Sequence, residues 1–568
     1  MILLPRRIVS VAALALAAPL ALFNTGCGKK TASQPAPFTA ELTEIAGVQA
    51  VYTLRHPKLI NADLEKLMTA VPEAALARMF LGQLAAYGYP EFSDIEPGSN
   101  LGVALLDDGD ATMLSGQPTF VGFAKLKPGG KIATALGAAG LVLEQRGEWT
   151  WIARDAAAFA KVTAPDAITA HVSRPQTEEI RFWGRLSPAL LAELKSRVMG
   201  AIETQLAEQS AADRQALVGY AEVAWSYLAQ IHSAGGALDL NDQGIALTYS
   251  AQFLPDTALG VFLRHAPGAD PEINRSVPAD GLFNLLVRTN PAAQTELFNG
   301  VFAALLAVDH PEGRQALTSM QPGFIALIEA GKRGTVATFD MDMPVADRAP
   351  EIDLFMVSEG DYQRETVNDY YRQSAALTDR FSNALLSGIA SLAPAGTAPQ
   401  TTIKTEFNGE QTTIAGVPFG AITSTTATDG LPPVVSTQYY GVSDGLFIMG
   451  SDPESLAARL PAVLARQAVA NPVQIPLGPD DLLVAEISGR RIVDMVVESS
   501  GGNLDDPDLK AQVQTLKDGY AAVAPPRMTV TASQAKMGFA LTLPYPFLAQ
   551  SARLGQFAMM LKQSQQQQ

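Results

Sequence analysis

Cysteine is nearly missing from this chain: one, Cys27, in 568 residues, so no intramolecular disulfide can form and a thiolate zinc site is excluded. Histidine is almost as scarce. His56, His171, His232, His265 and His310 stand too far apart for the H-E-x-x-H spacing that places two imidazoles on one helix face. Charged residues are only 17%, and their balance is acidic, a formal −16. No basic surface is left to neutralise phosphates, which excludes nucleic acid as a partner. Beyond Phe23 no apolar run reaches the roughly 20 residues of a membrane-crossing helix, so the mature chain is not polytopic. The stretch GKIATALGAAG, from Gly130, offers glycines but neither G-x-G-x-x-G nor a P-loop lysine, so it predicts close helix packing rather than a phosphate cradle.

What is there begins at the N-terminus. MILLPRRIVSVAALALAAPLALFNTGCGKK carries Arg6 and Arg7, an apolar run from Ile8 to Phe23 broken by Pro19, and then small residues, the layout of an export signal. Thr25, Gly26 and Cys27 resemble the lipobox of exported bacterial lipoproteins, with Asn24 where a leucine is usual. The resemblance implies removal of residues 1–26 and acylation of Cys27, which becomes the new N-terminus. Two or three acyl chains suffice for stable anchoring, since each buried CH₂ contributes about 0.8 kcal/mol. Loss of Arg6 and Arg7 takes the net charge from −16 to −18, so lipid on Cys27, not a basic patch, would hold the protein to a membrane. Residues 27–39 form a polar, Pro-containing tether. Gly28, followed by Lys29 and Lys30, stands where some bacteria place an inner-membrane retention Asp, so the same resemblance points to the cell envelope and the periplasmic face of the outer membrane. The last residues, 556–568, end in QSQQQQ, a disordered tail.

The middle of the chain repeats itself. IALTYSAQFL from Ile245 lies against FALTLPYPFL from Phe539, at an offset of 294. EIRFWGRLSPALLAEL from Glu179 lies against DLLVAEISGRRIVDMV from Asp481, with Ser187 and Ser488 at an offset of 301. GEWTWIARDAAAFA from Gly147 lies against DGLFIMGSDPESLA from Asp444, at 297. VYTLRHP from Val51 matches LLVRTNP from Leu285, at 234, and TFVGFAKL from Thr119 matches EIDLFMVS from Glu351, at 232. Five matches in one order, with one insertion at about 358–437 to account for the jump in offset, predict two tandem copies of one unit, over 40–268 and 269–555. Period-two alternation marks strands and period 3.6 marks helices. Leu191, Leu194, Val198, Ile202 and Leu206 make one helical stripe. Ser210 to Asp213 reads as a capping box that restarts a second helix. Asp155 and Asp452 read as N-caps, the latter ahead of Pro453. The expected fold is α+β: two pseudo-repeated domains of mainly antiparallel sheet with helices packed on one face. This arrangement resembles uncharacterised tandem α/β-domain exported lipoproteins, a resemblance that assigns no catalytic residue.

Two chemistries remain to be weighed. Gly441, Val442, Ser443, Asp444 and Gly445 spell the G-x-S-x-G of a serine hydrolase, but an elbow needs a helix immediately after the serine, and the apolar run Leu446–Met449 predicts a strand. Ser443 therefore reads as a turn residue. Acidic clusters, Asp107, Asp108 and Asp110, then Asp340, Asp342 and Asp347, then Asp505, Asp506 and Asp508, are weak candidates for calcium, since none has the EF-hand spacing. No cofactor is expected. The composition thus points to a lipid-anchored envelope protein with a non-catalytic binding or scaffolding role, partnered by another envelope protein. The alternatives are a carrier of a hydrophobic or lipid ligand in a cleft and, behind it, a hydrolase using Ser443.

Overall fold

The computed structural model describes residues 45–71, 93–107, 119–185, 187–205, 211–341, 352–375, 401–428, 433–499 and 507–566. Tight hairpins set its local geometry. Asp444 (φ 48°) with Gly445 (φ 74°), and Gln534 (φ 49°) with Ala535 (φ 61°), are two-residue turns with positive φ at both positions, the type I′ conformation that matches the twist of antiparallel strands. At a third, Asn241 Oδ1 accepts from the amides of Gln243 (2.9 Å) and Gly244 (3.2 Å), the Asx device that folds a chain back on itself.

The elements run β1 (Val48–Leu54), α1 (Pro57–Ala70), β2 (Leu101–Leu106), β3 (Phe120–Ala124), α2 (Lys131–Ala138), β4 (Val142–Arg146), β5 (Trp149–Ala153), α3 (Ala157–Ala160), α4 (Pro165–Val172), β6 (Ile180–Arg185), α5 (Pro188–Gln205), α6 (Ala211–Leu228), β7 (Ile231–Asn241), β8 (Gly244–Phe253) and α7 (Ala258–His265). They continue with β9 (Phe283–Val287), α8 (Pro291–Leu306), α9 (Pro311–Ala330), β10 (Gly331–Met341), β11 (Ile352–Gly360) and a helix α10 over 364–375. Next come β12 (Thr401–Ile414), β13 (Val417–Thr428), β14 (Val434–Ser443), β15 (Leu446–Gly450) and α11 (Pro453–Leu464). The chain closes with β16 (Asp481–Ile487), α12 (Gly489–Ser499), α13 (Pro507–Ala521), β17 (Arg527–Ser533), β18 (Lys536–Pro544) and α14 (Tyr545–Gln566). The class is α+β.

All the strands belong to one 18-stranded antiparallel sheet. From one edge the pairing runs β4, β5, β3, β2, β1, β6, β7, β8. From the other it runs β12, β13, β14, β15, β11, β10, β9, β16, β17, β18. Apart from β12 and β13, the two runs place strands in the same order relative to the chain. They meet edge to edge at β8 and β18, whose ladder spans Gly244↔Pro544 to Gln252↔Lys536. Counted from the turns at Asn241–Gly244 and Ser533–Lys536, Thr248 and Ala540 hold the same position, and they pair with each other. The sheet therefore continues across the 268/269 boundary without a break.

Four expectations need correction. Helices lie on both faces of the sheet. Val121, Phe123 and Trp151 pack against Phe159, Ile168 and Val172 of α3 and α4, while Ala124, Leu143 and Ile152, pointing the other way, pack against Ile132 and Leu136 of α2. Strands such as Trp149–Ala153 are apolar at consecutive positions, so both faces need cover. The closing hairpins align turn to turn at 292 rather than 294. A two-residue slip keeps every side chain on its own face, which is why the sequence match tolerates it. Tyr545–Leu548 opens a helix where its matched segment stays extended to Phe253. Pro544 and Pro546 end the ladder there and suit a helix start. Finally, that helix continues to Gln566 through most of the 556–568 stretch expected to be a disordered tail, because Phe557 packs with Val493, Val513 and Tyr520.

The helices after β8 and β18 each cross to the other half. Leu263 and Phe262 of α7 pack with Ala532 and Met537 of β17 and β18. Tyr545, Leu548 and Ala552 of α14 pack with Ile60, Leu64 and Leu240 of α1 and β7. The segment assigned to an insertion holds α10 and the β12–β13 hairpin, whose aromatic neighbours include Tyr371 and Tyr440, with ring centroids 4.4 Å apart. Among the described residues no helix is long and apolar enough to cross a membrane.

Candidate functional site

The junction between the halves holds a groove of about 470 Å³ between α7 and α8. Its frame is fixed by backbone contacts. Thr257 caps α7: its hydroxyl donates to Leu254 O (2.6 Å) and accepts from Gly260 N (3.3 Å). Asn290 caps α8 through Oδ1, which accepts from Ala293 N (3.4 Å), and its Nδ2 donates to His265 O at 2.6 Å, tying the start of one helix to the end of the other. A Cβ at Gly268 would lie 1.6 Å from Thr289 O, and one at Gly260 2.1 Å from Leu254 O. Those approaches admit only glycine. Val261, Phe262 and Leu297 give the groove apolar walls, and the short side chains of Ala292 and Ala293 leave its width. Asp256, Glu296 and His265 stand at its polar margin. Apolar walls with several convergent polar groups on a rigid frame suit ligand binding.

At the same junction an ionic network, buried at Asp63 and Glu179 and exposed at Lys66 and Asp242, ties α1 to the start of β6 and the end of β7, with Tyr545 of α14 beside it. Arg55 Nη1 donates to Asp63 Oδ2 (2.7 Å) and to Glu179 Oε1 (3.0 Å). Lys66 bridges Asp63 (2.8 Å) and Asp242 (2.9 Å), and Leu240 N donates to Glu179 Oε2. Burial pushes the Glu179 carboxyl up to about 7, its bonds and Arg55 notwithstanding. Burial, with Glu179 and Asp63 nearby, likewise holds the Tyr545 hydroxyl up at about 12. Sequence reasoning missed this network, because TEEIRF reads as a strand start with solvated acids. A second missed set is the row Asn284–Thr338 on β9 and β10, cross-strand partners that are 3% and 1% exposed. Asn284 Oδ1 and Thr338 Oγ1 there have no hydrogen-bond partner among the described residues.

The residues singled out from the sequence are spread widely. Cys27, Asp108, Asp110, Asp342, Asp347, Asp505 and Asp506 lie outside the described residues. Asp107 is held by Arg185 Nη2 at 2.9 Å and Asp340 by Arg491 Nε at 2.5 Å, and among the described residues no three acidic, histidine or cysteine side chains gather as a metal set. His56 and His310 are N-caps, accepting from Lys58 N (3.2 Å) and Gly313 N (3.1 Å). His171 is buried beside Trp183, and burial followed by Arg174 and Arg181 pushes it down to about 4. Asp452 caps α11, accepting from Ser455 N at 2.9 Å, with Pro453 behind it, and Asp155 accepts from Ala157 N at 3.0 Å.

Ser443 ends β14, and its hydroxyl donates to Asp444 Oδ2 at 3.3 Å. The next element is β15, whose Leu446 pairs back with Ser443 itself, so the serine sits at a hairpin and not at a helix start. Ser443→Ala is expected to change unfolding free energy by less than about 0.5 kcal/mol, as for other exposed turn positions. The wild-type protein should give no adduct with a fluorophosphonate probe, which reacts with base-activated serines. Labelling at Ser443 in intact-mass analysis would overturn that. No protein family, curated protein or solved structure matches the chain.

Proposed function

We propose that this chain is a lipid-anchored envelope protein, two tandem copies of one α+β unit, with a non-catalytic binding role served by the groove between α7 and α8. The observation that carries the reading is that groove: about 470 Å³ with a mixed apolar and polar lining on a frame locked by Asn290, Gly260 and Gly268, at the place where the halves join, which is where binding sites are commonly built. Support for the tandem copies comes from the shared strand order and from the self-matched pairing at Thr248 and Ala540. Support for a non-catalytic role comes from what the candidate residues already do: Ser443 turns a hairpin, Asp107 and Asp340 hold arginines, His56 and His310 cap helices.

Anchoring rests on Cys27 and its Thr-Gly context. In cells, the wild-type protein is expected in the membrane fraction with a lipid-modified N-terminal Cys27 peptide, and Cys27→Ser in the soluble fraction. An unmodified thiol on a soluble mature chain would end this part of the reading. The apolar walls favour, as a second reading, a carrier of a hydrophobic ligand. Native purification from membranes followed by solvent extraction separates the two: a stoichiometric co-purifying lipid supports the carrier, and a reproducible protein partner without lipid supports the scaffold.

A further inference from the structure

We infer that the groove between α7 and α8 takes a small organic cation with an apolar body, an amine or quaternary ammonium on an alkyl or aryl group; this rests on reading the groove as a binding site. Two lining residues are carboxylates, Asp256 just before α7 and Glu296 on α8. Both are exposed, and neither has a hydrogen-bond or ion-pair partner among the described residues. Carboxylates in the adjoining linker are treated otherwise. Asp270 takes Arg288 Nε at 2.6 Å and Glu272 takes Arg333 Nη1 at 2.6 Å. No lysine or arginine lines the groove. Two negative charges without a partner among the described residues therefore stand beside the apolar Val261, Phe262 and Leu297, with the uncharged polar side chains of Thr257 and Asn290 and the His265 imidazole completing the polar lining.

That pattern selects for charge. An anion would meet like charges without a countercharge, and a neutral amphiphile would cover the carboxylates' water and return nothing. A cation seated between them gains their attraction as its apolar body displaces solvent and lowers the local dielectric. Its tail has Val261 and Leu297 to lie against. Phe262 adds an aromatic side chain to that lining. The volume, about 470 Å³, falls in the roughly 300–1,000 Å³ range of small-molecule sites.

The test titrates the purified full-length protein calorimetrically with three ligands of one tail: hexyltrimethylammonium, hexanesulfonate and hexanol. The cation is expected to bind at least about 10-fold tighter than either of the others. The double variant Asp256→Asn, Glu296→Gln should lose about 10-fold for the cation and abolish the preference, the scale of one well-placed charge contact. Ala292→Trp, a filling change at an exposed lining position, should abolish binding without moving the thermal midpoint. Sulfonate or hexanol binding as tightly as the cation, or a preference that survives the double variant, overturns the choice of ligand and leaves the groove as a site. Binding by none of the three, or binding indifferent to Ala292→Trp, overturns the groove as a site altogether.

Discussion

Gly244→Val should lower the unfolding free energy by about 3 kcal/mol and separate the unfolding of the two halves. Gly244 opens β8 opposite Pro544 in the seam. A Cβ there would lie 2.2 Å from Leu543 O and 2.8 Å from Pro544 Cα. Both atoms are backbone, so no rotamer change can relieve the overlap, and β18 must move away from β8. Overpacking in a closed site costs about 1–3 kcal/mol when side chains can adjust, and more when they cannot. The movement also strains the neighbouring bond from Tyr545 N to Gln243 O, 3.0 Å, which starts α14 on its course towards α1. All four tryptophans, Trp149, Trp151, Trp183 and Trp225, lie in the first half, so tryptophan fluorescence reports that half while far-ultraviolet dichroism reports both. In the wild type the two denaturant transitions should coincide. In Gly244→Val the fluorescence and dichroism midpoints should part. Gly200→Ala, at a helical glycine with open space around it, is the control and should be neutral or slightly stabilising. A Gly244→Val protein with the wild-type midpoint would show that the seam does not couple the halves.

That seam illustrates what the sequence could and could not reveal. Local chemistry was legible: Asp452 before Pro453 announced the cap of α11, and Asp444–Gly445 announced a hairpin. The succession of strands could be read because alternation along each strand survives in the residues. The meeting of β8 with β18 could not. IALTYSAQF and FALTLP look alike to a reader, but nothing in either says that they pair with each other, since ladders between residues roughly 290 apart leave no local period. The crossing of α7 and α14 was hidden for the same reason. Helices on both faces could have been suspected from WTWIA, where Trp151 and Ile152 are apolar in succession. The groove was beyond reach: Ala292 and Ala293 read as ordinary helix formers, and only the approach of α7, set by Gly260 and Gly268, makes their small size matter. Glu179 is the sharpest case, an acid in a polar-looking stretch that the fold leaves 2% exposed.

The stability of the wild-type protein relative to Glu179→Gln is expected to fall by about 3 kcal/mol between pH 5 and pH 8. Glu179 faces Arg55 from the β1–α1 connection, Leu240 N and Asp239 from β7, and Tyr545 from α14, while Asp63 of α1 shares Arg55 with it and is itself paired with Lys66. Burial, the largest influence on it, lifts its carboxyl from 4.5 to about 7 in the folded protein. The folded state then holds the proton more tightly than the unfolded chain, so the stabilisation is fully present below about pH 4.5 and is lost as pH rises through 7. A rise from 4.5 to about 7, at about 1.4 kcal/mol per tenfold change in proton affinity, sets the order of magnitude. His171 acts the other way. Held down to about 4 by burial, it removes stability as pH falls below 6.5, so the raw pH profile mixes both groups. Subtracting the Glu179→Gln profile, measured by urea unfolding at each pH, leaves the Glu179 contribution alone. Glutamine keeps an acceptor for Leu240 N and cannot ionise, so the variant should be the more stable protein at pH 8, with Arg55 still paired to Asp63. A wild-type minus variant difference that stays constant from pH 5 to pH 8 would mean that Glu179 is ionised throughout, and that Arg55 compensates its burial in full.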